Sequence, residues 1–290
     1  MTSKLGRYVV GLIGTGIGTS LSPALHEREA DELGLRYAYQ LLDLDELGLA
    51  PDQVGELVNE ARRTGFAGLN ITHPCKQTVV GHLDELSGVA NVLGAVNTVV
   101  FTAGRAVGHN TDGYGFAEGF VRGLPGAPMA HVVLLGAGGA GAAVARALVE
   151  LGAGRVTIVD VEPGRVERLV AALDRPHRTV VAGATDELPE LVRTADGLVN
   201  ATPVGMAPNG GLPLAADLLR PGMWVADIIY RPLRTELLRY AHERGCPTLH
   251  GGAMVVFQAA EAFRLFTGRA PDADRMYRHF VALTGGSGDG

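Results

Sequence analysis

Short apolar runs and amphipathic runs alternate along the whole chain. RYVVGLIG (residues 7–14) reads as a buried strand, SPALHEREADELG (22–34) as a helix with Pro23 at an early helical position, and YAYQLLDL (37–44) as the next strand. VGELVNEARRTG (54–65) returns to helical spacing, GLNIT (68–72) is a short strand, and KQTVVGHLDEL (76–86) reads as a helix. AVNTVVF (95–101) and RAVGHNTD (105–112) complete the first half, and a helix near GYGFAEGFVRGL (113–124) leads into the turn residues of LPGAPM (124–129), a boundary. The second half carries strand signals at VVLLG (132–136), VTIVD (156–160), TVVAG (179–183), DGLVNAT (196–202), WVADIIY (224–230) and PTLHGG (247–252), interleaved with helices. Its last run, AMVVFQAAEAFRLFTG (253–268), has helical spacing and no strand after it. Repeated strand–helix–strand order predicts an α/β protein, and the length predicts two mostly parallel sheets.

Residues 132–160 sharpen this pattern. Gly136, Gly138 and Gly141 in GAGGAG follow an apolar strand and open a small-residue helix, and Asp160 ends the next strand. In a dinucleotide site the first glycine makes the tight turn, the second lets the backbone approach a pyrophosphate, and the third packs helix on strand; the helix start offers free amides to phosphate. The expected cofactor-binding set here is Gly136, Ala137, Gly138, Gly139, Ala140 and Gly141, with Asp160 on the adenosine ribose. A carboxylate at that strand end accepts from ribose hydroxyls and repels a 2′-phosphate by several kcal/mol, which favours NAD over NADP. Arg165, close behind, is the residue able to offset a phosphate there.

A second glycine cluster, Gly11, Gly14, Gly16 and Gly18, also follows a strand, and Asp43 closes the strand after it. Its spacing fails the fingerprint, because Thr19 stands where a glycine or alanine is required. The loop continues into Ser20-Leu21-Ser22-Pro23, whose hydroxyls at a helix start suit a carboxylate or polyol; N-capping by Ser22 is the alternative.

Composition narrows the class. The 290 residues, 19% charged and 47% hydrophobic with net charge −6, describe an ordinary globule with an unstructured GGSGDG end, and no basic run points to nucleic acid or an anionic membrane. Cys75 and Cys246 are too few for a disulfide framework and suit a reducing cytoplasm. His73 with Cys75 makes no metal site, and none is expected elsewhere. Lys4 and Arg7 precede an uncharged stretch, but its strongly apolar part, VVGLI, is shorter than the ~7 residues a secretory signal core needs. No run reaches the ~18 apolar residues of a membrane helix.

Dehydrogenation of an alcohol needs a proton acceptor and polar groups that hold the reacting carbon. Three clusters in the first half supply them, each at the end of a strand signal, where open α/β sheets place ligands: Asn70-Ile71-Thr72-His73-Pro74-Cys75-Lys76, Gly94 to Thr98 around Asn97, and His109-Asn110-Thr111-Asp112.

In order, SLSP, NITHPCK, GAVNT, HNTDG, GAGGAG, NATPVGM, ADIIYRP and GGAMVVFQAAEAF make the chain resemble the shikimate dehydrogenase family over nearly its whole length. HNTD and the acid after the second cofactor-domain strand are most similar to the NAD-dependent quinate/shikimate dehydrogenases; NADP-dependent biosynthetic members usually carry an Asn-Arg-Thr-type segment where Val159-Asp160-Val161 stands. The resemblance implies an N-terminal substrate-binding α/β domain, 1–112 completed by 251–290 through a returning C-terminal helix, and a Rossmann-type NAD-binding domain, 113–250. It implies reversible oxidation of the C3 hydroxyl of shikimate or quinate, with Lys76 and Asp112 as a coupled catalytic pair. Ser20, Ser22, Thr72, Asn97, Tyr230 and Gln258 would bind substrate. Asn200, Thr202 and Met206 would line the nicotinamide side, with Gly251 also near the cofactor. His73, Cys75 and His109 have no role assigned by this pattern, and some quinate-using relatives carry threonine where Ser22 stands. The expected setting is a cytoplasmic monomer or homodimer with a small-molecule substrate, oxidative in direction if NAD is the partner. An NADP-dependent biosynthetic enzyme, an aminoquinate-type relative and a non-catalytic nucleotide sensor are the alternatives.

Overall fold

Arg7–Gly14 forms β1, whose inner half is fully covered on both faces. In the computed structural model, which describes residues 7–173, 180–208 and 210–285, the chain divides into Met1–Thr111 with Val256–Gly290, and Asp112–Val255. The division falls one residue before the expected 112/113 boundary and inside the C-terminal helix rather than before Gly251. Lys4, Thr179 and the GGSGDG end beyond Gly285 lie outside the described residues.

In the first unit, β1 is followed by α1 (Ser22–Glu32), β2 (Arg36–Asp43), α2 (Leu44–Leu47), α3 (Val54–Arg63), β3 (Gly68–Ile71), β4 (Glu85–Leu86), α4 (Gly88–Leu93), β5 (Thr98–Thr102) and β6 (Arg105–His109). The sheet runs β2-β1-β3-β5-β6-β4. It corrects the expectation of uniform βαβ order, because β5 is antiparallel to both β3 and β6. The cause is a two-residue hairpin: Ala103 and Gly104 both take left-handed φ, 50° and 78°, the conformation that matches the twist of paired antiparallel strands.

The helix expected over 76–86 is also corrected. Thr78–His82 makes one 3-10 turn and the chain then joins the sheet edge as β4. β-branched Thr78, Val79 and Val80 followed by Gly81 favour no helix. Asp84 draws the segment to the sheet by accepting from the Ala106 amide at 2.7 Å and from Arg62 at 3.1 Å. α4 went unread in the sequence; Ser87 caps it through the Ala90 amide at 3.3 Å, and Gly94 ends it at φ 58°.

The second unit holds α5 (Asp112–Gly123), β7 (Val132–Leu135), α6 (Gly139–Glu150), β8 (Val156–Val159), α7 (Pro163–Leu173), β9 (Val180–Ala182), α8 (Leu188–Thr194), β10 (Gly197–Asn200), β11 (Trp224–Asp227), α9 (Glu236–Glu243) and β12 (Thr248–His250). Its sheet, β12-β11-β10-β7-β8-β9, is parallel throughout. This is the doubly wound order in which the crossover direction reverses between β7 and β10, where ligands bind. β7, β8, β10 and β11 are buried at every position, as strands covered by helices on both faces must be. Trp224 is buried, donates to the Pro128 carbonyl at 2.8 Å, and occupies the space a side chain at Gly197 would need.

The C-terminal helices α10 (Gly252–Thr267) and α11 (Ala273–Leu283) return to the first unit, as expected. Phe266 packs against Gly68, and Tyr8 donates to the Thr267 carbonyl at 3.2 Å. Buried Glu29 on α1 receives the Arg275 guanidinium at 2.8 and 2.6 Å and the Asp272 amide at 2.7 Å, which fixes where α11 docks. Phe263, Phe266 and Phe280 are all buried, each contributing about 2–3 kcal/mol of apolar burial. No helix among the described residues is long and apolar enough to cross a membrane.

Candidate active site

The reversed β5 decides the geometry of the first unit. Asn97 precedes β5, yet the register pairs Asn70 with Thr98 and Thr98 with His109. The start of β5 therefore shares an edge with the C-terminal ends of β1, β3 and β6, and the three sequence clusters form one polar row.

That row is wired through buried side chains. Asn70 donates to the Asn97 carbonyl at 3.3 Å and to the Thr98 hydroxyl at 3.2 Å, so its carbonyl oxygen faces Tyr39, whose hydroxyl donates at 2.8 Å. Tyr39 also meets the Ser22 hydroxyl, and burial raises its pKa far above the usual tyrosine value. Asn97 accepts from the Thr111 amide and from the Thr98 hydroxyl, each at 2.9 Å, and its NH2 group lies 2.9 Å from the Thr111 hydroxyl and 3.5 Å from Gln258 Oε1. The Lys76 carbonyl accepts from the Val96 amide at 2.8 Å, which sets Lys76 beside Asn97. The structure thus joins Ser22, Asn97, Gln258 and the Lys76 segment, and turns Asn70 from a ligand candidate into a spacer. His109 is half-buried; burial lowers its pKa, and nearby Glu261 works in the opposite direction.

The loop bearing Ser20 and Ser22 is held from both sides. Thr15 donates to the His73 carbonyl at 3.1 Å, and a side chain at Gly14 would overlap Thr72, so the loop lies directly on the Thr72 segment. Asp43 takes the Gly16 and Ile17 amides at 3.2 and 2.8 Å. This explains physically why the glycine cluster is no phosphate site: its own carboxylate occupies the amides. N-capping by Ser22 is not what the structure has. Ser22 is the first helical residue, the cap is Leu21 without a side-chain bond, and Ser20 Oγ accepts the Ser22 amide at 3.2 Å.

In the second unit the glycines divide by role. Gly136 has φ 99° and a Cβ there would lie 2.8 Å from the Ala201 carbonyl oxygen; a Cβ at Gly141 would overlap the Gly136 carbonyl. Around Gly138 no protein atom lies within 4 Å of the Cβ position, so internal packing gives no reason for glycine. An open cradle at the start of a 12-residue helix fits a pyrophosphate. Asp160 reaches back to this turn, accepting from the Ala137 amide at 2.7 Å and the Glu162 amide at 2.9 Å, so the Ala137 amide serves the loop. Arg165 pairs with Glu162 at 2.8 Å.

Across the switch point, Asn200 ends β10 and folds the following loop about itself: its Oδ1 accepts from the Thr202 hydroxyl at 2.7 Å and amide at 3.1 Å, and its NH2 donates to the Val204 carbonyl at 3.1 Å. Val204 and Met206, in the loop whose Ala201 and Thr202 lie against Gly136, are exposed, an apolar surface that suits a flat heteroaromatic ring. Gly251 has a packing reason of its own, since a side chain there would overlap the Ile228 carbonyl. Burial raises the Tyr230 pKa, with Arg231 opposing. Sequence reasoning missed Tyr39 and Asp227 and read Asp43 only as a strand end; all three are buried polar groups that shape these loops. No cluster of three metal-ligating side chains occurs among the described residues.

A doubly wound dinucleotide unit preceded by a mixed-sheet unit with a polyhydroxyl-type polar row defines a two-domain nicotinamide oxidoreductase. Residues 12–99 match the shikimate dehydrogenase substrate binding domain, 253–279 the shikimate 5′-dehydrogenase C-terminal domain, and 99–212 the alanine dehydrogenase/PNT C-terminal domain. The shikimate dehydrogenase (NADP(+)) of Streptomyces avermitilis is 61% identical over 96% of both chains, and the quinate/shikimate dehydrogenase (NAD(+)) of Corynebacterium efficiens is 45% identical over 95% of this chain and 98% of its own. The structure of quinate dehydrogenase from Corynebacterium glutamicum in complex with NAD superposes with a TM-score of 0.89 at 42% identity, covering 96% of this chain and 99% of that one. The chain belongs to the shikimate dehydrogenase family.

Proposed function

We propose that the chain catalyses reversible oxidation of the C3 hydroxyl of shikimate, quinate or both to the 3-dehydro ketone, with NAD as hydride acceptor. The observation that carries this reading is the wired polar row at the edge of the first sheet, built for a small polyhydroxyl acid. Ser20 and Ser22 hold the carboxylate, with Tyr230 as a further contact, and Thr72, Asn97 and Gln258 fix the ring hydroxyls. The Lys76–Asp112 pair takes the C3 hydroxyl proton as the C–H bond yields its electron pair and hydrogen, leaving a C=O bond. A bound nicotinamide supplies the hydride sink. The Gly136–Gly141 turn holds the pyrophosphate, and Thr202 and Met206 orient the ring.

The preference for NAD rests on Asp160. Two unit charges 4 Å apart repel by about 4 kcal/mol at an effective dielectric of ~20, so a 2′-phosphate beside this carboxylate is disfavoured. Arg165, the group able to offset it, is engaged by Glu162. One observation favours NADP instead: the Streptomyces avermitilis relative, at 61% identity, is a shikimate dehydrogenase (NADP(+)).

Initial rates of shikimate and quinate oxidation with NAD and with NADP, followed by reduced-nicotinamide absorbance, test both levels. Turnover with NAD and little with NADP is expected. Turnover only with NADP overturns the Asp160 argument and keeps the reaction; no turnover with either overturns the reaction.

A further inference from the structure

Asp227 ends β11 almost fully buried, 1% exposed, and ties three segments together. Its Oδ1 accepts from the Asn200 NH2 group at 3.1 Å and from the Ile229 amide at 3.1 Å; its Oδ2 accepts from the Thr235 hydroxyl at 2.8 Å. These partners are neutral. Burying a carboxylate without a cation costs several kcal/mol even when it is hydrogen-bonded. Burial accordingly raises its pKa to about 6 against the pull of those three donors. A strand end that only needed filling would carry an apolar residue or an amide at lower cost.

The carboxylate links loops. Through Asn200 it fixes the 200–206 loop, because the same carboxamide that donates to Asp227 also binds the Val204 carbonyl and the Thr202 hydroxyl and amide. Through Ile229 it fixes the segment leading to Tyr230. Through Thr235, the N-cap of α9, it fixes that helix start. A Cβ placed at Gly205 would lie 3.5 Å from Ile229 and 3.7 Å from Thr235, so the three segments meet under this one side chain.

We propose that Asp227 is the positioning residue of the nicotinamide end: it sets Thr202, Val204 and Met206 through Asn200, and its own hydrogen bonds go to Asn200, Ile229 and Thr235 rather than to the Gly136–Gly141 turn. The inference rests on reading the 200–206 loop as the nicotinamide side.

The test compares NAD with ADP-ribose, which keeps the adenosine and pyrophosphate and lacks the nicotinamide ring, by calorimetric titration of the full chain. Asp227→Ala is expected to weaken NAD by about ten- to a hundredfold, the size of lost hydrogen bonds to a charged group, while ADP-ribose binding changes by about twofold or less. Asp227→Asn should recover most of the NAD affinity, since its carbonyl oxygen can face Asn200 and Ile229 while its NH2 faces the Thr235 hydroxyl, which can turn to accept. Thr235→Val, which removes the donor to Asp227 together with the Leu238 cap bond at little change of volume, should show the same NAD-selective loss more weakly, and carries the test if the alanine variant does not fold. Parallel loss of both ligands, or unchanged NAD binding, overturns the assignment. If the unaltered protein binds ADP-ribose and gains nothing from the nicotinamide, the loop reading falls and the inference with it. If it binds neither ligand, the dinucleotide reading itself falls.

Discussion

Gly138→Ala separates a glycine kept for folding from one kept for a ligand. The backbone at Gly138 has φ −73° and ψ −174°, open to any residue, and no protein atom lies within 4 Å of the new methyl group. The substitution gains about 0.4–1 kcal/mol by restricting the unfolded chain and loses a similar amount because alanine is a poor N-cap. The expected net change is within about 1 kcal/mol, or roughly 2–4 °C in melting temperature. On the proposed reading of this turn, the methyl group stands where a pyrophosphate would approach the helix start. Loss of one charge-assisted backbone contact, about 1.5–3 kcal/mol, weakens NAD by roughly ten- to 150-fold. Gly141→Ala is the control of opposite character: its methyl overlaps the Gly136 carbonyl, backbone that cannot turn aside, so stability falls by about 3 kcal/mol or more. Scanning fluorimetry gives the melting temperatures and titration calorimetry the affinities. An alanine at 138 that unfolds the protein, or binds NAD as tightly as glycine does, refutes the division of roles.

Further expectations follow from groups elsewhere in the chain. His26 is buried against Tyr37, Tyr39, Phe263 and Phe266, and burial lowers its pKa to about 3 from 6.5. The unfolded chain therefore binds a proton that the native chain excludes, so this contribution is intact above pH 6.5 and is lost as pH falls, by about 1.4 kcal/mol per unit and about 2 kcal/mol by pH 5. Unfolding free energies from urea titration of the natural chain and of His26→Phe should change relative to one another by that amount between pH 7.5 and 5, the natural chain losing more; parallel pH slopes would sink the assignment. Lys76→Ala should lower kcat by about 10²- to 10⁴-fold with little change in KM, whereas a rise in KM at unchanged kcat makes Lys76 a binding residue.

The dinucleotide unit was legible because its signals are local. Gly136, Gly138 and Gly141 act within one turn, and an all-parallel sheet writes its strands as unbroken apolar runs. The first unit was less so. An apolar run such as TVVF carries no sign of strand direction, and Thr102-Ala103-Gly104-Arg105 lacks the Asn-Gly or Asp-Gly pair that announces a hairpin. Residues 76–86 read as a helix because their spacing allows one, while the contact that decides against it, Asp84 with Ala106, lies 22 positions away. The polar clusters were found as clusters, since each sits at a strand end. Their wiring was not: that Asn70 braces the row depends on Tyr39, 31 residues away. Asp227 stayed silent for the same reason, its partner Asn200 being 27 residues back.

The hairpin turn at Ala103–Gly104 is a gauge block for the row at the far edge of its sheet. Solvent-facing turns usually absorb insertions freely. Here the turn length sets the register of β5 on β6, and a slip of one residue would carry Asn97 out of step with Thr111 and turn the side chains of the slipped strand to the opposite face. The spacing of the polar row is thus measured out by two small exposed residues at the opposite end of the hairpin, where a change of length would be felt although a change of side chain need not be.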